Sequence, residues 1–219
     1  MNQRGQNMAT NYDIYQDNIH RTVHSDQMDG KNTREVVIES SYDITPKDLW
    51  ADLSIADRIE KWFAPVTGEL QLHGKYQIQG NAQGTITTCD PFKLIELTWD
   101  MFGDQSWLKI SLIKEQQRRT RLILSHKMFH SPHYESYGSG ATGVGWEMAF
   151  LGLHLHIAHP EQAKLDEEEF AYSDEGRRFI RQSSEGWKLA SIAGGEYPRE
   201  ATQAAQNTTA FYTGESQSA

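Results

Sequence analysis

The feature that most restricts the fold is a train of short strand-like runs followed by one long apolar segment. The runs are 66–72, 75–79, 84–89, 93–99, 106–114 and 120–126, broken at His73-Gly74, Gly80-Asn81, Asp90-Pro91, Gly103-Asp104 and Gln116-Gln117. Breaks this short join antiparallel neighbours, because a parallel crossover needs a dozen or more residues. Leu108, Ile110 and Leu112 alternate with Lys109 and Ser111, and Leu122, Leu124 and His126 alternate with Arg121 and Ser125. Successive strand side chains point to opposite faces, so one face of the predicted sheet is apolar and needs a cover.

The cover is the segment Ala141 to Ala158, the longest helix candidate. At about 1.5 Å per residue it makes a rod of roughly 27 Å, long enough to lie across a sheet. Val144, Met148, Leu151, Leu155 and Ala158 form one apolar stripe, and Trp146, Phe150, Leu153 and Ile157 form a second on the opposite side. Two stripes require two partners. The sheet is expected to take the first. The second is assigned to residues 161 to about 212, with helices opening at Pro160, Ser173 and Pro198 and with Phe179, Trp187 and Phe211 as anchors. A homodimer covering the second stripe is the alternative.

Residues 1–32 are rich in Asn and Gln and lack a sustained apolar period, which predicts a disordered leader. From Arg34 a β-branched run leads to Thr45-Pro46, a cap-and-first-turn pair that starts a short helix. A second helical stretch follows over 57–63. The division expected is a leader over 1–32, one α+β domain over 33–160, a helical extension over 161–214 docked on the long helix, and a disordered tail over 215–219. The fold class is a curved antiparallel sheet gripping the long helix.

The 30 acidic residues exceed the 21 basic ones and give a net charge of −9, which argues against nucleic acid and polybasic membrane contacts as main partnerships. No apolar run is long enough to span a bilayer. Cys89 is the only cysteine, so no internal disulfide can form and a cytoplasmic location is expected.

Specific words along the chain carry a resemblance. They are Leu49-Trp50, then Trp62-Phe63-Ala64-Pro65-Val66-Thr67-Gly68-Glu69-Leu70, Gly74-Lys75-Tyr76, Gly84-Thr85-Ile86 and Cys89-Asp90-Pro91. Leu97-Thr98-Trp99, Leu124-Ser125-His126 and Gly143-Val144-Gly145-Trp146-Glu147 continue the series. In this order, over about 34–159, the sequence resembles the START-like SRPBCC superfamily, in the branch named after the activator of the heat-shock protein 90 ATPase. Glu185-Gly186-Trp187 and Phe211-Tyr212-Thr213-Gly214 look like an extension found on bacterial members. The resemblance implies a helix-grip fold. It also implies one of several activities hosted by that fold, from ligand carriage and toxin sequestration to polyketide cyclisation and chaperone stimulation.

Other motifs are weaker. Gly138-Ser139-Gly140-Ala141-Thr142-Gly143 spells a phosphate-loop spacing, but no apolar parallel strand precedes it, so a glycine-rich lead-in to the helix is the better reading. His126, His130 and His133, or His154, His156 and His159, lack the spacing of a metal site. No serine sits in a nucleophile elbow. No metal or other cofactor is expected.

His126 and Glu147 are polar residues among apolar neighbours on the two elements that should face each other. Such a pair forms either an ion pair between strand and helix or a ligand-orienting pair. Trp62, Tyr76, Trp99, Trp107 and Phe129 are the candidate aromatic walls of a cavity, with Met148 and Leu151 on the helix side. The expected function is non-catalytic binding of a small hydrophobic molecule. A cyclase- or aromatase-like enzyme in the same cavity is the alternative, and a chaperone-stimulating partner protein is the third.

Overall fold

A computed structural model describes Tyr15, residues 18–101 and residues 103–215. Its strands are β1 (His20–Met28), β2 (Lys31–Tyr42), β3 (Val66–Gly68), β4 (Lys75–Ile78), β5 (Gln83–Asp90), β6 (Leu94–Met101), β7 (Asp104–Gln116) and β8 (Arg119–Phe129). They form one antiparallel sheet in the order β1-β2-β8-β7-β6-β5-β4-β3. The helices are α1 (Pro46–Ser54), α2 (Ala56–Ile59), α3 (Pro132–Tyr137), α4 (Gly140–Ala158), α5 (Glu167–Tyr172), α6 (Asp174–Ala193) and α7 (Pro198–Thr213). This is the α+β helix grip: α1 and α2 interrupt the chain after β2, and α4 lies against the sheet.

Local chemistry explains the boundaries. Thr45 caps α1, its Oγ1 accepting the Asp48 N–H at 3.2 Å, and Pro46 occupies the first turn. Asp166 caps α5 and Ser173 caps α6 in the same way, accepting from Glu169 and Gly176. The acidic run 166–169 is therefore the cap and first turn of α5, where negative charge suits the helix dipole. Pro160 opens no helix; residues 159–166 are non-helical.

The leader expected over 1–32 requires correction in its second half. Residues 20–28 are β1, paired along their whole length with β2 through the two-residue turn Asp29-Gly30, both at positive φ. That is the hairpin geometry Asp-Gly favours. The strand is retained although it is polar because it is tied to the helices: Arg21 reaches α4, and the Val23 carbonyl comes within 2.5 Å of where a Cβ on Gly194, just after α6, would sit. Residues 1–14, 16, 17 and 216–219, also assigned to the leader and tail, lie outside the described residues. Glu215 pairs with Arg181 at 2.5 Å.

The assignment of the second stripe on α4 to the C-terminal segment also requires correction. Trp146 and Phe150 face the sheet, with Ala149 between them, whereas the face carrying Gly143 and Glu147 meets α6 and β1. Phe179 and Trp187 are fully buried anchors, but Phe211 is 62% exposed. The neighbouring Tyr212 does the anchoring, its hydroxyl donating to the Ala141 carbonyl at 2.6 Å. Both faces of α4 are covered from within the chain, by the sheet on one side and by α6 and β1 on the other. Among the described residues, no helix is long and apolar enough to cross a membrane.

Candidate functional site

Between the sheet and α4 lies a cavity of about 220 Å³. Three groups of elements build its wall. The α1–α2 hairpin and the turn after it supply Trp50, Leu53, Trp62 and Phe63. Strands β4 to β8 supply inward residues, among them Tyr76, Ile86, Ile95, Trp99 and Leu124. Helix α4 supplies Trp146, Ala149 and Phe150. The inward placement follows from strand alternation, and the register carries one apolar row across the sheet: Cys89 stands opposite Ile95, and Ile95 opposite Ile110.

The polar atoms of this wall are largely engaged within the fold. Trp62 donates its indole N–H to the Asp52 carbonyl at 2.9 Å, Tyr76 its hydroxyl to the Thr98 carbonyl at 2.7 Å, and Ser54 its hydroxyl to the Trp50 carbonyl at 2.7 Å. Burial, with the Asp100 carboxylate nearby as a smaller cause, holds the Tyr76 phenol well above its ordinary value, so it stays a neutral donor. What the cavity offers is apolar contact and aromatic faces. Trp146 and Trp99 meet edge-on at 5.2 Å, and Phe63 stacks on Trp146 at 6.2 Å.

Of the residues singled out from sequence, Trp62, Tyr76 and Trp99 line the cavity. His126 stands directly behind it. Trp146 Nε1–H donates to His126 Nδ1 at 3.1 Å, which leaves the proton on Nε2 to donate to Ser106 Oγ at 2.8 Å. Ser106 in turn donates to the Trp99 carbonyl at 2.7 Å. Burial pushes the imidazole down to about 3, so His126 is neutral and both its nitrogens are spent on holding the cavity's tryptophans. Glu147 lies about a quarter-turn away from Trp146 and points elsewhere. Its carboxylate takes both Arg21 Nε and Nη2, at 2.6 and 2.8 Å, and is fully buried. Of the alternatives open for Glu147, the strand-to-helix ion pair is the one formed, and its partner is Arg21 of β1 and not His126.

Trp107 and Phe129 are not on the cavity. They meet each other edge-on at 5.4 Å on the outer face of the sheet, where Lys31 lies over the Phe129 ring. Trp107 alternates with the inward Ser106 and Leu108, which accounts for the displacement. Met148 and Leu151 are buried in the core but do not line the space. Sequence reading passed over Trp50, Leu53, Phe63, Cys89 and Ala149. The spacing of Trp50 and Leu53, three apart on a helix beside a sheet, and of Trp146, Ala149 and Phe150 was the available signal.

A second feature ties the cavity's roof to α4. Asp52 of α1 is buried, and its carboxylate accepts from Arg58 at 2.7 Å and contacts His156 at 3.3 Å near the end of α4. Gly152 of α4 leaves room for the Trp62 carbonyl, which a Cβ would meet at 2.8 Å. Among the described residues, no three His, Cys, Asp or Glu side chains converge as a metal site.

The profile of the family described as "Activator of Hsp90 ATPase homolog 1-like protein" matches residues 43–156. Among solved structures, CalU16 from Micromonospora echinospora is 25% identical, with a TM-score of 0.65 for its crystal structure, which covers 80% of this chain and 98% of that one. Its solution structure, also 25% identical, gives 0.67, with 81% and 97% covered. A conserved protein of unknown function from Enterococcus faecalis (16% identical, TM-score 0.61, 87% and 98% covered) shares the fold. So does an HSP90 activator from Plasmodium falciparum (20% identical, TM-score 0.50, 59% and 99% covered). No curated protein matches the sequence.

Proposed function

The chain belongs to the activator of Hsp90 ATPase homolog 1-like family, and from that premise we propose that it binds a small, flat, apolar molecule between the sheet and α4 without transforming it. The observation that carries this reading is the unfilled space itself. At about 24 cal/mol per Å³, leaving some 220 Å³ empty forgoes on the order of 5 kcal/mol of packing, a large share of a domain's net stability. Filling it would take only larger side chains at positions such as Ala149. Cavities of roughly 150 Å³ lined by apolar side chains accept a benzene-sized guest, so this one suits about one or two fused rings. The aromatic walls add edge and face contacts for such a guest.

A cyclase-like reaction would need an acid or base directed into the cavity. The two polar residues singled out for that role are both engaged elsewhere, His126 in holding Trp146 and Glu147 in its ion pair with Arg21. Binding alone is therefore the better supported activity. The test is titration of the protein with 1-aminonaphthalene, followed by tryptophan quenching, together with native mass spectrometry of protein taken from its own host. Saturable quenching at one site, abolished by Ala149→Met, is expected. The absence of both quenching up to the solubility limit and any co-purified mass would overturn the reading.

A further inference from the structure

We propose that the cavity is entered through a portal between α1 and the β5–β6 turn, and that the rings of Trp50 and Phe92 are its gate. This rests on the binding reading above but makes a separate claim about access. Pro91 is the one described lining residue that is exposed, while Trp50, Leu53 and Cys89 around it are half-buried. The far end is sealed by the buried Trp99, Trp146 and His126. The rim beside Pro91 carries exposed apolar surface, with Phe92 44% and Ile55 49% exposed, between the exposed charges of Asp90 and Lys93.

The turn is built at a backbone cost that packing does not explain. Residues 90–93 close with Lys93 N–H donating to the Asp90 carbonyl at 3.1 Å, with Pro91 second and Phe92 third at φ +67°. Positive φ at the third position is a type II turn, which favours glycine or asparagine there. A bulky aromatic in that conformation is an outlier. Strained residues persist where they serve a site. Here the strain sets the Phe92 ring edge-on against Trp50 at 6.0 Å, across the gap between α1 and the sheet. Trp50 is on the side of α1 turned toward the β5–β6 turn. The opposite side is tied to α4 by Asp52 and His156, whereas the Trp50 side meets the turn through this ring contact. Parting the two rings opens the cavity without disturbing the pinned side.

Cys89, the only cysteine, lines the cavity next to the turn and reports whether the gate opens, independently of any ligand. The experiment measures the rate at which pyrene maleimide labels Cys89 in the full-length protein, in Phe92→Gly and in Trp50→Ala, with Cys89→Ser as the blank. Labelling should accelerate about three- to tenfold in both gate variants, the factor a lost aromatic pair supplies. The melting temperature of Phe92→Gly should stay level or rise, because glycine suits the turn. In Phe92→Gly, whose ring lies outside the cavity wall, the entry and exit rates of 1-aminonaphthalene should rise together, leaving affinity within about twofold. Unchanged labelling in both variants overturns the portal. Acceleration only in step with a fall in melting temperature, the mark of local unfolding, also overturns it. Accelerated labelling in a protein that binds no probe would leave the portal standing and remove the ligand reading instead.

Discussion

On the side of α4 that faces α6, a Cβ on Gly143 would lie 2.1 Å from the Trp187 ring, and the Arg21 guanidinium is clasped between Glu147 and Gly186. On the side that faces the sheet, Ala149 borders a cavity of about 220 Å³. One helix, apolar on both sides, thus packs to contact on one face and leaves space on the other. The packed face holds the fold together, and that allows the open face to give up packing. Pairing the two in one helix keeps the loss on the cavity side from spreading into unfolding, since interiors are close-packed and transmit strain.

The contrast can be broken most severely at its ion pair. Arg21→Ala leaves the Glu147 carboxylate buried and unpaired, and should cost about 3–5 kcal/mol in chemical denaturation. Replacing both partners by apolar residues, Arg21→Met with Glu147→Leu, should recover most of that. If the single change costs under about 1 kcal/mol, the packed face is not where stability resides.

A larger side chain on each face should separate them next. Gly143→Ala must displace the Trp187 indole and is expected to lose about 1–3 kcal/mol, although alanine is the better helix former. Ala149→Met grows into open space and should change stability by less than about 1.5 kcal/mol while abolishing probe binding. Equal penalties at both positions would mean that the cavity is closed in solution.

Acid titration sharpens the comparison further. His126 is held at about 3 in the fold against an ordinary 6.5, so between those values the unfolded chain binds the extra proton. Stability should therefore fall as pH drops from about 6.5 toward 3, by up to about 1.4 kcal/mol per pH unit from this group. Burial lowers His154 in the same direction. His126→Gln, whose amide can accept from Trp146 and donate to Ser106, should flatten the slope by His126's share in pH-dependent melting. An unchanged slope would show that His126 is solvated and not a brace behind the cavity.

How far the sequence was legible depends on whether the signal was local. Strand alternation placed Trp99 and Tyr76 inward, and the same rule applied to Trp107, between Ser106 and Leu108, would have placed it outward. Asp29-Gly30 was a legible hairpin sign, but the residues before it are polar, so composition argued for a leader. Nothing local announces that Arg21 finds Glu147 126 positions away.

The amino-acid sequence by itself determined the order of elements from β2 to β8, the alternation of the sheet, the caps at Thr45 and Ser173 and the family of the domain, because each is written in neighbours a few residues apart. Only the tertiary structure decided which stripe of α4 meets the sheet. It also decided that His126 and Glu147 serve different partners, and that a space remains where apolar residues converge. A stripe records that a surface must be buried, but not against what. A cavity is the residue of many side-chain volumes failing to sum to the space between layers, and no single position carries that sum.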